Sequence, residues 1–376
     1  MSIPITLLTG FLGAGKTTLL NALLREPAFA NTAVLINEFG DLAIDNDLVD
    51  RFDDNIVETT TGCVCCSISS DVRRALFDLM TLRIERKIQQ FDRVIVETTG
   101  LADPAPVINA LVQPPWVAFA DRRVREQFSL ARVVTAFDIV TGSISLERHL
   151  EALKQIALAD VIVLTKSDLA DDPVTKRDIA EDRARLSRMN PGAVVLDRHK
   201  DWQSLVDTIC SPHAYDLRDR TEDAIGWLQA EAVLTAQHDH TSIDVNRHGD
   251  VRAHCVILDE AISPIQFSLF LDVLKMYAGS KLLRIKGFIR LSDAPEQPMV
   301  VHGVQHMIHP VARLLRWPSS DERTRIVLIG QNLNVAMIKR VLTGILPPGL
   351  VRSDLRLDAD DGGNSTEEVQ QSETNP

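Results

Sequence analysis

The sequence has no uncharged apolar run of the ~18 residues that a bilayer-spanning helix requires, so no membrane partner is expected. Its start lacks the basic segment that opens a secretory leader. The apolar stretch Ile3–Leu8 runs straight into a glycine-rich loop and reads as a buried strand. A cytoplasmic location is expected on these grounds. Positive charge is also in deficit: 40 lysines and arginines stand against 52 aspartates and glutamates, a net charge of −12. The basic footprint of a nucleic-acid binder is therefore missing, and none is expected as a partner. That deficit does not hinder capture of a cation. Cysteine is scarce and odd in number, with five residues, three of them within four positions. Such spacing suits metal or redox chemistry better than a disulfide framework. There is no internal repeat.

What is present begins with a globular balance, 45% hydrophobic and 24% charged, over 376 residues. That length suits two domains rather than one core. Apolar runs at Ile5–Thr9, Thr32–Asn37, Asp92–Glu97, Arg132–Phe137, Val161–Thr165 and Ala193–Leu196 alternate with helical patterns. The expectation is an α/β P-loop domain over residues 1–214, with a mostly parallel sheet and helices on both faces. Ligands of such sheets bind at the carboxyl ends of the strands. A charged connector over 215–250 holds His238, His240 and His248 and one helix around Ala224–Ala236. Residues 251–346 then read as a smaller α+β domain. Its strands are expected at Val251–Leu258, Lys281–Leu291, Met299–His306 and Arg325–Gly330, its helices at Pro264–Tyr277 and Asn334–Leu342. Residues 347–376 are acidic and poor in core formers, as in a disordered tail.

Gly10-Phe-Leu-Gly-Ala-Gly-Lys-Thr17 sits between a predicted strand and a predicted helix, the context of a phosphate-binding loop. Gly10, Gly13, Ala14 and Gly15 supply backbone that can wrap an anion, Lys16 a point charge for the β- and γ-phosphates, and Thr17 a hydroxyl for Mg²⁺. Glu97 ends an apolar strand and can hold the Mg²⁺ shell. Gly100 can offer its N–H to the γ-phosphate, so this segment can sense hydrolysis. Thr165-Lys-Ser-Asp168 ends another apolar strand. A carboxylate at Asp168 can accept the paired donors of a guanine edge, while the Lys166 stem covers the ring. The plainer alternative is an ordinary strand-to-helix loop with Asp168 as a helix cap.

Cys63, Cys65 and Cys66 follow Gly62 and precede a helix expected to begin near Ser69 or Ser70. Thiolates select zinc, copper(I) or related soft ions, and zinc is the first expectation, with Co²⁺ or Fe²⁺ kept open by the activator reading below. A buried inert pair or a redox disulfide is the alternative, although residues so close make poor unstrained bridges. Three thiolates leave a tetrahedral site short of a ligand, which Glu38 or Asp41 could complete. A solvated polar loop accounts for those two acids equally well.

Gly10–Thr18, Asn37–Asp45, Gly62–Cys66, Glu97–Pro104 and Thr165–Asp168 together resemble the CobW-like GTPases, relatives of the hydrogenase and urease nickel GTPases. Ile285–Phe288, Val301–Gln305, Trp317-Pro318 and Ile329-Gly330 resemble the CobW C-terminal domain, and the likeness runs from residue 3 to about 346. It implies a GTPase of low intrinsic rate that binds a transition metal and delivers it to a client metalloprotein. It assigns nucleotide contacts to Gly13, Gly15, Lys16, Thr17, Thr18, Lys166 and Asp168, Mg²⁺ association to Glu97, and metal binding to Cys63, Cys65 and Cys66. Two departures stand out. Thr165 replaces the asparagine of many GTPases, which predicts a weaker tie to the loop and looser GTP-over-ATP choice. Asp41 replaces a glutamate, which shortens that acid's reach. The competing readings are a metal-responsive regulator, an activator loading iron or cobalt, as into nitrile hydratase or for cobalamin synthesis, and a small-substrate P-loop kinase.

Overall fold

The computed structural model describes residues 2–37, 56–59, 68–112, 123–124, 126–169, 173–211, 251–305, 307–308 and 312–345. Glu38, Asp41, Cys63, Cys65, Cys66, His306, His309, the 215–250 connector and the 347–376 segment lie outside the described residues.

The first sheet contains β1 (Ile3–Gly10), β2 (Thr32–Asn37), β3 (Ile56–Thr59), β4 (Arg93–Thr98), β5 (Phe128–Asp138), β6 (Val161–Thr165) and β7 (Val194–Asp197). Their order is β3-β2-β4-β1-β5-β6-β7, and every neighbouring pair is parallel. The strands read as continuous apolar runs because both faces are covered. Period-two alternation sends successive residues to opposite cores. Ile5 and Leu7, Val94 and Val96, and Ala33 and Leu35 pack with α2 (Ile68–Ile84) and α3 (Pro104–Val112). Leu8, Ile95, Val34, Val161 and Val163 pack on the other face with α1 (Lys16–Leu24) and α7 (Trp202–Cys210). Ile162 and Leu164 pack with α4 (Gly142–Arg148), α5 (Leu150–Leu158) and α6 (Pro173–Met189). The expected α/β architecture is thus present. β3 has no counterpart among the expected strands, since four residues with two apolar ones carry little periodic signal.

The second sheet is antiparallel: β8 (Val251–Leu258), β9 (Leu282–Ile289), β10 (Met299–Val304), β11 (Met307–Ile308), β12 (Ala312–Arg313) and β13 (Thr324–Gln331). One face carries Val256, Leu258, Ile285, Ile289, Val301, Ile326 and Leu328 against α8 (Pro264–Ala278) and α9 (Val335–Ile345). Ser263 caps α8 through a reciprocal box with Gln266, and Pro264 opens the helix. The strand expected to run to His306 leaves the ladder at Val304, because Gln305 takes a φ of 54° and turns the chain toward β11.

The opposite face of this sheet meets the first domain. Val251, Leu283 and Ile329 join the core of α5 and α6. Arg284 and Lys286, two apart on β9, both reach Asp160 at the start of β6. Arg284 Nη2 and Lys286 Nζ (2.9 Å) donate to its Oδ1, while the Val133 N–H donates to Oδ2 at 2.9 Å. Arg284 Nη1 also donates to the carbonyls of Leu158 and Ala159, which end α5. Burial opposes ionisation of Asp160, but the two cations outweigh it and hold the carboxyl well below its usual range. An ion cluster with Asp160 and Arg284 buried and Lys286 at its partly exposed edge therefore fastens the two sheets together.

Candidate functional site

The carboxyl ends of β1, β4, β5 and β6 converge where β1 lies between β4 and β5. Strand order reverses there, the usual place for a ligand crevice in such sheets. Gly10 ends β1, and Gly10, Gly13 and Gly15 have φ of 146°, 71° and 81°, backbone that side chains disfavour. The loop closes through the Ala14 N–H to the Phe11 carbonyl, 3.1 Å. Gly15 is the N-cap of α1, and neither a capping side chain nor an acidic first-turn residue occupies that helix end. The amides of Lys16, Thr17 and Thr18 thus begin a helix whose positive pole faces the loop.

Lys16 Nζ donates back to the carbonyls of Gly10 (3.1 Å) and Phe11 (3.3 Å). Thr17 Oγ1 donates to Glu97 Oε1 at 2.8 Å, so residues 80 apart in sequence meet. Glu97 is buried, reached by a strand in parallel register beside β1, with Leu8 opposite it. A hydroxyl and a carboxylate so placed are two hard oxygen donors, the set that suits a small divalent cation. Gly100 follows the end of β4 and approaches the phosphate loop so closely that a Cβ there would stand 2.7 Å from Leu12 Cα and N. Of the expected residues, Gly10–Thr18, Glu97 and Gly100 are therefore brought to one place.

Thr165 does tie to the phosphate loop despite its departure from asparagine. Its hydroxyl donates to the Ala14 carbonyl at 2.7 Å, with the Phe137 carbonyl at 3.2 Å. A hydroxyl has one proton where an amide has two, so the tie is present but single. Lys166 takes a φ of 60°, and its Nζ bonds Asp138 Oδ2 at 2.7 Å. Asp138 also accepts from Thr141 Oγ1 and the Val140 N–H. Burial works against its charge, but the Lys166 ammonium and these donors keep its carboxyl below the usual range. Asp168 sits in a short 3₁₀ turn, Ser167–Leu169, more than half exposed, and pairs with His199 Nε2 at 3.0 Å.

Several residues of the site were not expected from the sequence. Asp138 ends β5 as Glu97 approaches the end of β4, so the same strand-end acid signal was there to find. Gln155, buried in α5, donates its amide to the carbonyls of Gly100 and Ala102, both at 3.1 Å. One polar side chain among the apolar positions 152, 153, 156 and 157 was its signal. Asp103 Oδ1 accepts from the Ala105 N–H at the start of α3, and its Oδ2 accepts from Lys154 (2.7 Å) and from Gln305 of the second domain (3.4 Å). The segment after Gly100 thus touches the C-terminal domain, a contact no local pattern announces. The cysteine motif, Glu38 and Asp41 fall outside the described residues. Among the described residues, no group of three or more His, Cys, Asp or Glu could hold a metal ion, and Cys210 and Cys255 are unbridged. No helix among them is long and apolar enough to cross a membrane.

Comparison with known proteins extends this picture. Residues 4–197 match the CobW/HypB/UreG nucleotide-binding domain, and residues 251–346 the cobalamin synthesis protein cobW C-terminal domain. The chain is 29% identical over 343 residues to the zinc chaperone YjiA of Escherichia coli (strain K12), covering 91% of this chain and 98% of that protein. It is 27% identical over 361 residues to zinc-regulated GTPase metalloprotein activator 1 of Schizosaccharomyces pombe, covering 88% and 83%. The crystal structure of Zn(II)-bound YjiA GTPase from E. coli superposes with a TM-score of 0.63 at 25% identity, covering 92% of this chain and all of that one.

Proposed function

The chain belongs to the CobW/HypB/UreG family of nucleotide-binding proteins, and from that premise we propose that it is a GTP-dependent metallochaperone. It hydrolyses GTP to GDP and phosphate, carries zinc as cargo on Cys63, Cys65 and Cys66, and hands the ion to a client metalloprotein. The observation that carries the GTPase half is the Thr17–Glu97 bond at 2.8 Å beside the glycine loop. The cargo half is supported by the three clustered thiols and by similarity to proteins named zinc chaperones.

Each residue has a task in this reading. Lys16 exchanges the carbonyls of Gly10 and Phe11 for β- and γ-phosphate oxygens. The first-turn amides of α1 hold the remaining phosphate charge. Thr17 and Glu97 would hold Mg²⁺, which neutralises phosphate charge when bound. Gly100 donates its N–H to the γ-phosphate, and Gln155 keeps that backbone in place. Thr165 steadies the loop at Ala14, Asp168 accepts the guanine N1–H and N2–H₂ donors, and the Lys166 stem lies over the ring. GTP orders the segments around Gly40 and Gly100 and draws the three thiolates, with Glu38 or Asp41, into a tight zinc site. Hydrolysis releases the γ-phosphate, loosens the site and frees the ion.

Linkage makes the coupling reciprocal: if GTP raises zinc affinity, zinc raises GTP affinity by the same factor. The test is a Zn²⁺ titration of wild type and Cys65→Ser, with and without Mg²⁺ and a non-hydrolysable GTP analogue. The analogue should tighten zinc binding in the wild type only. Equal zinc affinity in both nucleotide states overturns the mechanism, and parallel titrations with Co²⁺ and Fe²⁺ rank the cargo.

A further inference from the structure

The loop after β7 reaches the edge of the site where Asp168 stands, and no sequence motif marks it. Asp197, buried at the end of β7, accepts three hydrogen bonds on Oδ1: from Ser167 Oγ (2.7 Å), the His199 N–H (2.8 Å) and the Lys200 N–H (3.3 Å). The Arg198 N–H donates to the Leu164 carbonyl at 3.0 Å. Asp197 thus joins residues 199–200 to Ser167, and Arg198 is tied to Leu164 of β6, so the loop is held beside the 165–169 turn. From that fixed loop His199 Nε2 stands 3.0 Å from Asp168 Oδ1, with both side chains substantially exposed.

From this geometry we infer that His199 is a positioning residue for base choice, holding the Asp168 carboxylate in the orientation that accepts a guanine edge. The inference rests on the reading of Asp168 as the guanine acceptor. A carboxylate offers about four lone-pair sites on two oxygens. An N–H from His199 can take one of them and still leave an acceptor on each oxygen for the guanine N1–H and N2–H₂. An exposed aspartate on a short turn otherwise samples several rotamers, and only one of them presents both oxygens to the base. Across the 3.0 Å that separates Nε2 from Oδ1, an imidazolium or the Nε2–H tautomer can donate. Adenine presents no such donor pair, so the restraint favours GTP alone.

The experiment measures steady-state hydrolysis of GTP and ATP by the full chain as wild type, His199→Ala and His199→Gln. His199→Ala should raise KM for GTP about fivefold, the upper reach of an exposed charge-assisted pair. It should leave kcat for GTP and kcat/KM for ATP unchanged. His199→Gln, whose amide N–H can take the place of Nε2, should restore KM. A purely structural role would lower turnover of both nucleotides together, and that result overturns the inference. So does an unchanged or lower KM for GTP in His199→Ala. Asp168→Asn tests the underlying reading separately, since an amide there should exchange GTP for xanthosine triphosphate. If Asp168→Asn leaves GTP preference intact, the guanine reading fails and the inference with it. If it switches preference while His199→Ala changes nothing, only the role of His199 falls.

Discussion

Lys286 should be nearly dispensable for stability, while Asp160 and Arg284, in the same buried cluster, should not. The cluster holds two cations and one carboxylate between the two sheets, with Arg284 and Asp160 buried and Lys286 partly exposed. Asp160→Asn leaves Arg284 and Lys286 side by side without an anion. Breaking a buried pair in this way costs roughly 3–5 kcal/mol. Arg284→Met removes a donor from the carbonyls of Leu158 and Ala159; Ala159 keeps the Asn190 Nδ2 donor at 2.8 Å, while a buried acceptor that loses its donor, as at Leu158, costs about 1–3 kcal/mol. Lys286→Met keeps the Arg284–Asp160 pair and removes the excess positive charge, so a change within about 1 kcal/mol is expected. pH separates the cases further. Burial and repulsion from Arg284 push the Lys286 pKa down from 10.5 to about 8, against the attraction of Asp160. The unfolded chain then binds more protons between those two values, so this group makes stability rise with pH across that window. Wild type should gain relative to Lys286→Met as pH climbs from 8 toward 10.5. Urea unfolding of the full chain, followed by fluorescence at several pH values, measures both effects. If Lys286→Met costs as much as Asp160→Asn, or Asp160→Asn costs less than about 1 kcal/mol, then the apolar contacts and not the charges hold the interface.

Two further outcomes concern the segment that follows β4. Gly100→Ala would drive a methyl to 2.7 Å from the Leu12 backbone, displacing either this segment or the phosphate loop. GTP turnover should fall roughly tenfold to a hundredfold, the scale of a small misplacement in an active site; wild-type turnover would refute the close approach. Gln155→Leu leaves the Gly100 and Ala102 carbonyls without their donor. Hydrogen exchange of the peptide over residues 99–105 should speed up, and turnover should drop with KM for GTP little changed. Unaltered exchange would show that Gln155 does not hold the segment.

Much of the parallel domain was legible in the chain because it obeys local rules. Strands buried on both faces must be continuously apolar, and Thr32–Asn37 and Val161–Thr165 appear with the bounds read from composition. The glycine loop announced itself because positive φ and an uncapped helix start demand particular residues at fixed spacing. β3 was missed because four residues are too few to display a period. The end of β10 was misplaced because Gln305 adopts a left-handed backbone that its side chain does not signal.

The sequence by itself determined which groups are available: a phosphate loop, a strand-end acid at Glu97, a turn bearing Asp168, and three clustered thiols. Those follow from residue types at short spacing, where chain geometry leaves few alternatives. Tertiary structure alone decided who meets whom. Thr17 bonds Glu97 because β1 and β4 are adjacent and parallel. His199 reaches Asp168 because β6 and β7 are. Arg284 finds Asp160 because one face of the second sheet must be covered by the first domain. Contacts between residues about 30 to 125 positions apart depend on strand order and burial of whole faces, and no window of sequence carries that information.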